Sequence, residues 1–366
     1  MSTAHRATAV RGGLLLVALA TLLAGCERPP IQSTQEGFRG TGMVDVQNPR
    51  RLERLALENA VPAAQPPAPA VGPAASTVYQ NVQVLGGVPV PEFARLMLAI
   101  TSWVSPQEGC NYCHDPANLA SDAKYTKVVS RRMLQMTQDI NANWKPHVAA
   151  TGVTCYTCHR GQAVPSGVWF DHLDGTKARF AGNSGGQNRA AAEVGLTSLP
   201  VDPFSTFLLG ATEVRRVSST ALPTGNRSSI KQTEWTYALM MHMSQAMGVN
   251  CTYCHNSRSF TDWSQSRPQR ATAWHAIRMV RGLNNDYLVP LQGVLPPERL
   301  GPAGDAPKVN CITCHKGVNK PLLGVSMLAD YAVLAAPVPP PPPPEPAPAA
   351  PAEGETAAEV APAAGG

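Results

Sequence analysis

Charge is scarce in this sequence: Asp, Glu, Lys and Arg together make up 15% of 366 residues, and the net charge is +5. The positive residues are scattered. No basic run is interleaved with aromatics in the way that tracks a nucleic-acid backbone, so no nucleic-acid partner is expected and the charge reads as a solvated, mixed surface. Aromatic residues are also few, at 6%, which is thin for an interior of this size and implies that something other than Phe, Tyr and Trp fills it. Long apolar runs are missing too. The run Gly12–Leu23 is roughly a dozen residues, short of the about 20 that a membrane-spanning helix needs.

Proline and cysteine are plentiful instead, with 35 and 9 residues. Many of the prolines lie in Val61–Ser76 and Pro337–Gly366, stretches expected to add nothing to a core. Pro339–Pro344 enforces polyproline II, and the Ala/Glu/Gly remainder of the tail has little to bury. The globular part should therefore run from about Thr77 to Ala335. At the other end, Arg6 and Arg11 precede the apolar run, and Leu23-Ala24-Gly25-Cys26 follows it, the layout of a secretory signal. Leu-Ala-Gly-Cys resembles the bacterial lipoprotein processing box, which implies cleavage before Cys26 and acylation of that cysteine. The alternative is an uncleaved helical anchor. Both put the bulk of the chain outside the cytoplasm and on a membrane, and two or more acyl chains make a lasting tether.

The other eight cysteines fall in four clusters: Cys110-Asn111-Tyr112-Cys113-His114, Cys155-Tyr156-Thr157-Cys158-His159, Cys251-Thr252-Tyr253-Cys254-His255 and Cys311-Ile312-Thr313-Cys314-His315. Each is Cys-x-x-Cys-His, the attachment signature of c-type haem. Two thiols three positions apart reach the two vinyl groups on one porphyrin edge, and the following histidine binds iron. Zinc ribbons or disulfides could also use Cys-x-x-Cys pairs, but neither requires a histidine after every second cysteine. Four covalently bound haem c groups are therefore expected, and with Cys26 acylated no cysteine remains for a disulfide.

A shift of 143 residues places Phe93-Ala94-Arg95-Leu96-Met97 on Thr236-Tyr237-Ala238-Leu239-Met240, and Met136, Ile140 and Asn141 on Met279, Leu283 and Asn284. The chain thus reads as two related halves with two haem sites each. The residues before the first site of each half have helical apolar spacing, and a helix across the open haem face could present a methionine to iron. Met97 and Met240 occupy matching positions and are preferred, with Met241, Met243 and Met247 as rivals for the third haem. Ala123–Asn143 reads as a helix that carries Met133 and Met136 one turn apart. Met133 projects onto Ala276, so the fourth haem must take its second ligand from elsewhere. His147 is the leading candidate and His275 the other.

Gly37-Phe38-Arg39-Gly40, Trp103-Val104-Ser105-Pro106-Gln107-Glu108-Gly109, Gly152-Val153-Thr154 with the second motif and Arg160-Gly161, and Pro268-Gln269-Arg270-Ala271 resemble the tetrahaem cytochrome subunit of purple-bacterial photosynthetic reaction centres. The resemblance runs from about Gly37 to Tyr331. It implies the axial pairs Met97/His114, Met133/His159, Met240/His255 and His147/His315, deciding for Met133 over Met136 and for His147 over His275. It also implies a file of haems, with the His255 haem beside the bacteriochlorophyll pair, the His114 haem farthest out, and the His315 and His159 haems between them. Arg270 matches a family arginine between the proximal haem and the pigments. Binding a haem propionate is the plainer role for it.

The expected fold is mainly α with much irregular structure and at most a small two-stranded ribbon near the N-terminus: a multihaem cytochrome c of two pseudo-repeated dihaem halves. The expected divisions are a lipoprotein signal peptide (1–25), an extended anchor and covering segment with a Pro/Ala-rich linker (26–89), a first dihaem half (90–168), a connecting segment (169–229), a second dihaem half (230–325) and a C-terminal segment with a disordered tail (326–366). By resemblance the protein is a lipid-anchored electron carrier on the periplasmic face of the bacterial inner, photosynthetic membrane. It is expected to re-reduce the special pair held by the reaction-centre membrane subunits. A soluble cytochrome c or high-potential iron–sulfur protein would refill it. With every iron six-coordinate no enzymatic site is expected; a periplasmic multihaem reductase or dehydrogenase, which needs an open iron, is the alternative.

Overall fold

The computed structural model describes residues 30–35, 43–171 and 191–335; the signal segment, Cys26, Gly37–Gly40 and the proline-rich tail lie outside them. Among the described residues the one sheet is an antiparallel ribbon of β1 (Gln32–Gln35) and β2 (Val44–Gln47). The rest is helical and irregular, as the scarcity of strand-like alternation predicts. No helix among the described residues is long and apolar enough to cross a membrane.

The covering segment differs from the extended chain read from its sequence, because α1 (Pro49–Glu58) forms within it. Asn48 caps that helix by accepting from the Arg50 N–H, and proline opens it where no N–H is needed. Residues 61–76 also contribute to the core, contrary to the sequence reading. Ala75 is fully buried and Val61 packs against a buried cluster. Small Ala and Pro side chains let the backbone lie close, and its carbonyls find a donor: buried Arg95 bonds to Gln65 O and Pro66 O.

The long helices lead into or follow the cysteine motifs. Helix α2 (Val90–Val104) opens with proline and Glu92 and buries Leu96, Ala99 and Trp103 along one stripe. Helix α3 (Tyr125–Asn143) ends at Trp144, and α4 (Lys145–Val148) is a single turn that carries His147. The second motif is itself the short helix α5 (Cys155–His159). Helix α6 (Ile230–Met247) is capped by Ser229 and stopped by Gly248 at φ 66°. A Cβ on Gly248 would lie 2.1 Å from Gly317 O, so the position needs glycine for both conformation and space. Helix α7 (Pro268–Gly282) follows the third motif, and α8 (Cys311–His315) is the fourth.

Two apolar clusters hold these pieces. One gathers Leu96, Ala99, Trp103 and Leu134 with Met327, Tyr331 and Leu334 from the end of the described chain. The other gathers Leu239, Met243, Ile277 and Leu283 with Trp169, Phe204, Phe207 and Leu208. The connecting segment therefore supplies much of the core around α6 and α7, while residues 326–335 pack beside α2.

Two backbone ties occur twice. Buried Asn141 donates to Val153 O (2.9 Å) and Leu334 O (2.9 Å) and accepts from the Val153 N–H (2.7 Å). Buried Asn284 donates to Val309 O (3.0 Å) and Leu208 O (3.0 Å) and accepts from the Val309 N–H (2.9 Å). Each asparagine clasps the residue two before a motif cysteine. The Gly161 N–H bonds Trp103 O and the Gly317 N–H bonds Ala246 O, both at 2.8 Å. Since an unsatisfied buried amide costs about 1–3 kcal/mol, Asn284→Ala should lower stability by about 2–4 kcal/mol. Asn141→Ala should cost a similar amount; chemical denaturation of the cofactor-loaded protein checks both.

Candidate haem-attachment sites

The four motifs fold in two ways. The first and third are 3-10 turns, Gly109–Tyr112 and Cys251–Tyr253, which bring the histidine N–H onto the first cysteine carbonyl at 3.0 Å in each. The second and fourth are α5 and α8, each begun by a reciprocal cap. The Thr157 hydroxyl accepts from the Thr154 N–H (3.0 Å), and the Thr313 hydroxyl from the Asn310 N–H (3.1 Å). These helices end at Arg160 and Lys316 in the left-handed conformation.

Every motif histidine is oriented by a backbone carbonyl. Nδ1 meets Leu119 O for His114 (3.0 Å) and Phe260 O for His255 (2.9 Å), five residues on. It meets Gln162 O for His159 (2.8 Å) and Val318 O for His315 (3.0 Å), three residues on. A carbonyl only accepts, so Nδ1 carries the proton and the Nε2 lone pair is left for a metal. Burial holds His159, His255 and His315 below the usual imidazole range, which keeps them neutral. Burial also pushes the Cys155 and Cys311 thiols up to about 12 and Cys254 up to about 11. A zinc site needs thiolates, which burial disfavours at these three cysteines.

The candidate methionines of the first half line one cavity with their motifs. This cavity of about 960 Å³ is lined by Met97 with Cys110, Cys113 and His114, and by Met133 and Met136 with Cys155, Cys158 and His159. Both methionines of α3 reach it, so their spacing alone does not separate them. In the second half Met240 and Met247 are partly buried against the same cluster as buried Met243. Met241 instead packs toward Gly195, where an added Cβ would meet its Cε at 3.1 Å.

His147 stands opposite His315. Their ring centroids are 6.0 Å apart, close to the separation expected of two imidazoles on opposite faces of one metal with metal–nitrogen bonds of about 2 Å. The His147 Nδ1 is fixed by Thr272 O at 3.2 Å. Burial, with the neighbouring His315 adding to it, lowers the His147 pKa to about 4, so it too offers a neutral Nε2. His275 lies edge-on to Trp274 at 4.9 Å.

Arg270 folds back on its own loop, donating to Asp262 O (3.0 Å) and Ser266 Oγ (2.7 Å) with its guanidinium 4.0 Å over the Trp263 ring. Cys26 lies outside the described residues. Sequence reading passed over Arg160, Lys316 and the meeting of Cys158 Sγ and Cys314 Sγ at 2.9 Å. The available signal was that the second and fourth histidines are each followed by a cation and a glycine, Arg160-Gly161 and Lys316-Gly317, while the first and third are not.

Comparison with known proteins agrees along most of the chain. Residues 27–335 match the photosynthetic reaction centre cytochrome C subunit family. A photosynthetic reaction center cytochrome c subunit of Rubrivivax gelatinosus is 57% identical over 329 residues, covering 89% of this chain and 90% of that protein. Those of Thermochromatium tepidum and Roseobacter denitrificans are 50% identical over 317 residues (87% of this chain, 78% of that protein) and 44% identical over 325 residues (84% and 87%). Pyridine haemochrome absorbance of the purified protein is expected to give four covalently bound haems per chain. Absence of covalent haem would remove the whole assignment.

Proposed function

The chain belongs to the photosynthetic reaction centre cytochrome c subunit family, and from that premise we propose that it is a lipid-anchored, tetrahaem relay that re-reduces the photo-oxidised bacteriochlorophyll special pair. Family membership makes it an electron carrier of photosynthesis with covalently bound haem c, associated with the reaction centre at the photosynthetic membrane. The finer reading rests on one observation above all. Four histidines each hold Nδ1 on a carbonyl and keep Nε2 free, and a fifth, His147, does the same while facing His315.

These residues fit haem. Cys110 and Cys113, Cys155 and Cys158, Cys251 and Cys254, and Cys311 and Cys314 would hold the four groups as thioethers. His114, His159, His255 and His315 would each supply one axial nitrogen. Met97, Met133 and Met240 would supply thioether sulfur to the first three irons, and His147 a second imidazole to the fourth. For Met133 over Met136 the support is the family resemblance. Bound there, haem supplies one-electron chemistry between ferric and ferrous iron. Thioether sulfur favours ferrous iron relative to a second imidazole, so the His147/His315 site should have the lowest potential. A reductase or dehydrogenase needs an iron with an open face, which this ligand set does not leave.

The twofold asparagine clasp, the paired glycine ties and the two matched kinds of motif support two dihaem halves, 90–168 and 230–325. The order of sites is supported by the covering segment. Val44 bonds Thr252 and Asn250 at the third motif, and Leu55 packs on Gly317 after the fourth. Glu58 O and Ala60 O accept from Arg160 and Tyr156 of the second, and Gln65 O accepts from Arg95 of α2, before the first. The segment thus visits third, fourth, second and first sites in turn, the order of the family's haem file. Strand β1 begins six residues after Cys26 and pairs with β2, whose Val44 is tied to the third motif, so in this reading an acyl anchor at Cys26 holds the third site nearest the periplasmic membrane surface and the special pair. In this reading Arg270, close to the third site, biases local potentials, and a soluble cytochrome c or iron–sulfur protein delivers electrons at the far end.

His147→Met should raise the potential of one haem and leave three unchanged; a redox titration with all four unchanged would remove His147 from the coordination set. In membranes, a flash should oxidise haem rapidly as the special pair is re-reduced. A high-spin ferric spectrum without flash-induced haem oxidation would favour the reductase reading.

A further inference from the structure

Helix α2 has two faces of different character. Successive residues turn by about 100°, so Phe93, Met97, Ile100, Thr101 and Val104 share one face, and all five line the cavity with Cys110 and His114. Arg95, two positions before Met97, falls about 160° away from it around the helix. It lies on the face that buries Leu96, Ala99 and Trp103. Met97 and Arg95 therefore leave one helix in nearly opposite directions.

Arg95 is buried and fully bonded. Its Nε donates to Gln65 O (3.2 Å) and Pro66 O (2.8 Å), its Nη1 to Glu92 Oε1 (3.0 Å) and Asp330 O (2.7 Å), and its Nη2 to Gln65 O (3.1 Å). The guanidinium lies 4.2 Å over the Tyr331 ring. The Tyr331 hydroxyl accepts from the Gln65 N–H (3.0 Å), and its ring meets Trp103 edge-on with centroids 4.7 Å apart. One side chain thus joins α2 to the covering segment, 30 positions upstream, and to Asp330, 235 positions downstream.

The magnitudes say what such a joint is for. Side chains reach about 5–6 Å from a helix axis, so a turn of α2 by about 20° would carry a side-chain tip by about 2 Å. A functional group must be held to within about 0.5 Å of its working position. Apolar burial of Leu96, Ala99 and Trp103 presses α2 inward, but that attraction is non-directional and defines rotation poorly. The planar fork of Arg95 bonds along fixed directions to three separate segments and stops the helix turning. The second half differs. At the matching position stands Ala238, fully buried, so the helix that carries Met240 has no cation there to clamp.

We propose that Arg95 is a positioning residue of the first site: it fixes the rotation of α2, and with it the aim of the Met97 sulfur, from the opposite side of the helix. Through Arg95 the covering segment and the Asp330–Tyr331 turn hold the second ligand of one haem and not of its counterpart in the other half. The inference rests on Met97 being that ligand, as proposed above.

The test is a spectrally resolved redox titration of the haem-loaded protein, with near-infrared absorption of the ferric form to follow the methionine sulfur-to-iron charge-transfer band. Met97→His, which exchanges a thioether for an imidazole, should lower the potential of one haem and so mark the first site. Arg95→Met should shift the reduction equilibrium of that same haem toward ferric by about tenfold, about 59 mV for a one-electron couple. The other three haems should not move, and the near-infrared band should fall by the share of one haem. Loss of a nearby positive charge alone would also favour ferric iron, and Arg95→Lys separates the two causes. It keeps the charge, but a single ammonium cannot span Gln65, Pro66 and Asp330, so the shift and the loss of band should persist in smaller measure. Arg95→Lys also gives the answer where Arg95→Met fails to take up four haems. Full restoration of potential and band by lysine, equal shifts at all four haems, or an unmoved first haem in both Arg95 variants would overturn the proposal. Met97→His with no haem moved would instead overturn the axial assignment on which it rests.

Discussion

A single hydrogen bond, from histidine Nδ1 to a backbone carbonyl three or five residues downstream, is the constraint on which the rest of the fold depends. It fixes the tautomer, aims Nε2 and turns the chain after each motif. A mobile ring would have to be ordered each time a metal was bound, whereas these rings are ordered by local backbone. The downstream turn differs with the motif's own conformation. The 3-10 motifs need a five-residue loop to return a carbonyl, while the α-helical motifs need only three residues after a left-handed step at Arg160 or Lys316.

The larger packing keeps these local units in register. Asn141 and Asn284 each hold the strand entering an α-helical motif through both its N–H and its C=O, so a long helix and a short one move together. His147 does the equivalent across the molecule: its short turn follows α3, its Nδ1 is held by Thr272 of α7, and its ring faces His315. A cofactor-filled interior leaves fewer side-chain contacts to define geometry. Polar ties with fixed direction take over that role, and the low aromatic content is compatible with it.

Chemistry was more legible in the sequence than packing. The Cys-x-x-Cys-His clusters must be contiguous to reach one porphyrin edge, so their spacing survives in the linear text. The 143-residue shift found Asn141 and Asn284 as partners, although not what they clasp, since Val153 and Val309 are identified only by the backbone path. The helix Pro49–Glu58 was missed because its neighbours are proline-rich and because its stability comes partly from Leu55 settling on Gly317. Burial of Met327, Tyr331 and Leu334 beside α2 was equally hidden. Nothing local in a C-terminal segment announces that its partners lie near the start of the chain.

The covering segment also carries an ordering in time. Its partners lie far downstream, and the Gln65 N–H that meets the Tyr331 hydroxyl does so 266 positions along the chain. At a synthesis rate of about 5–20 residues per second, that partner emerges roughly 10–50 s later. These early-made residues are thus among the last to settle, and they settle across all four motifs. A strap with partners this distant ties residues made early to residues made last, so its contacts complete the fold instead of nucleating it.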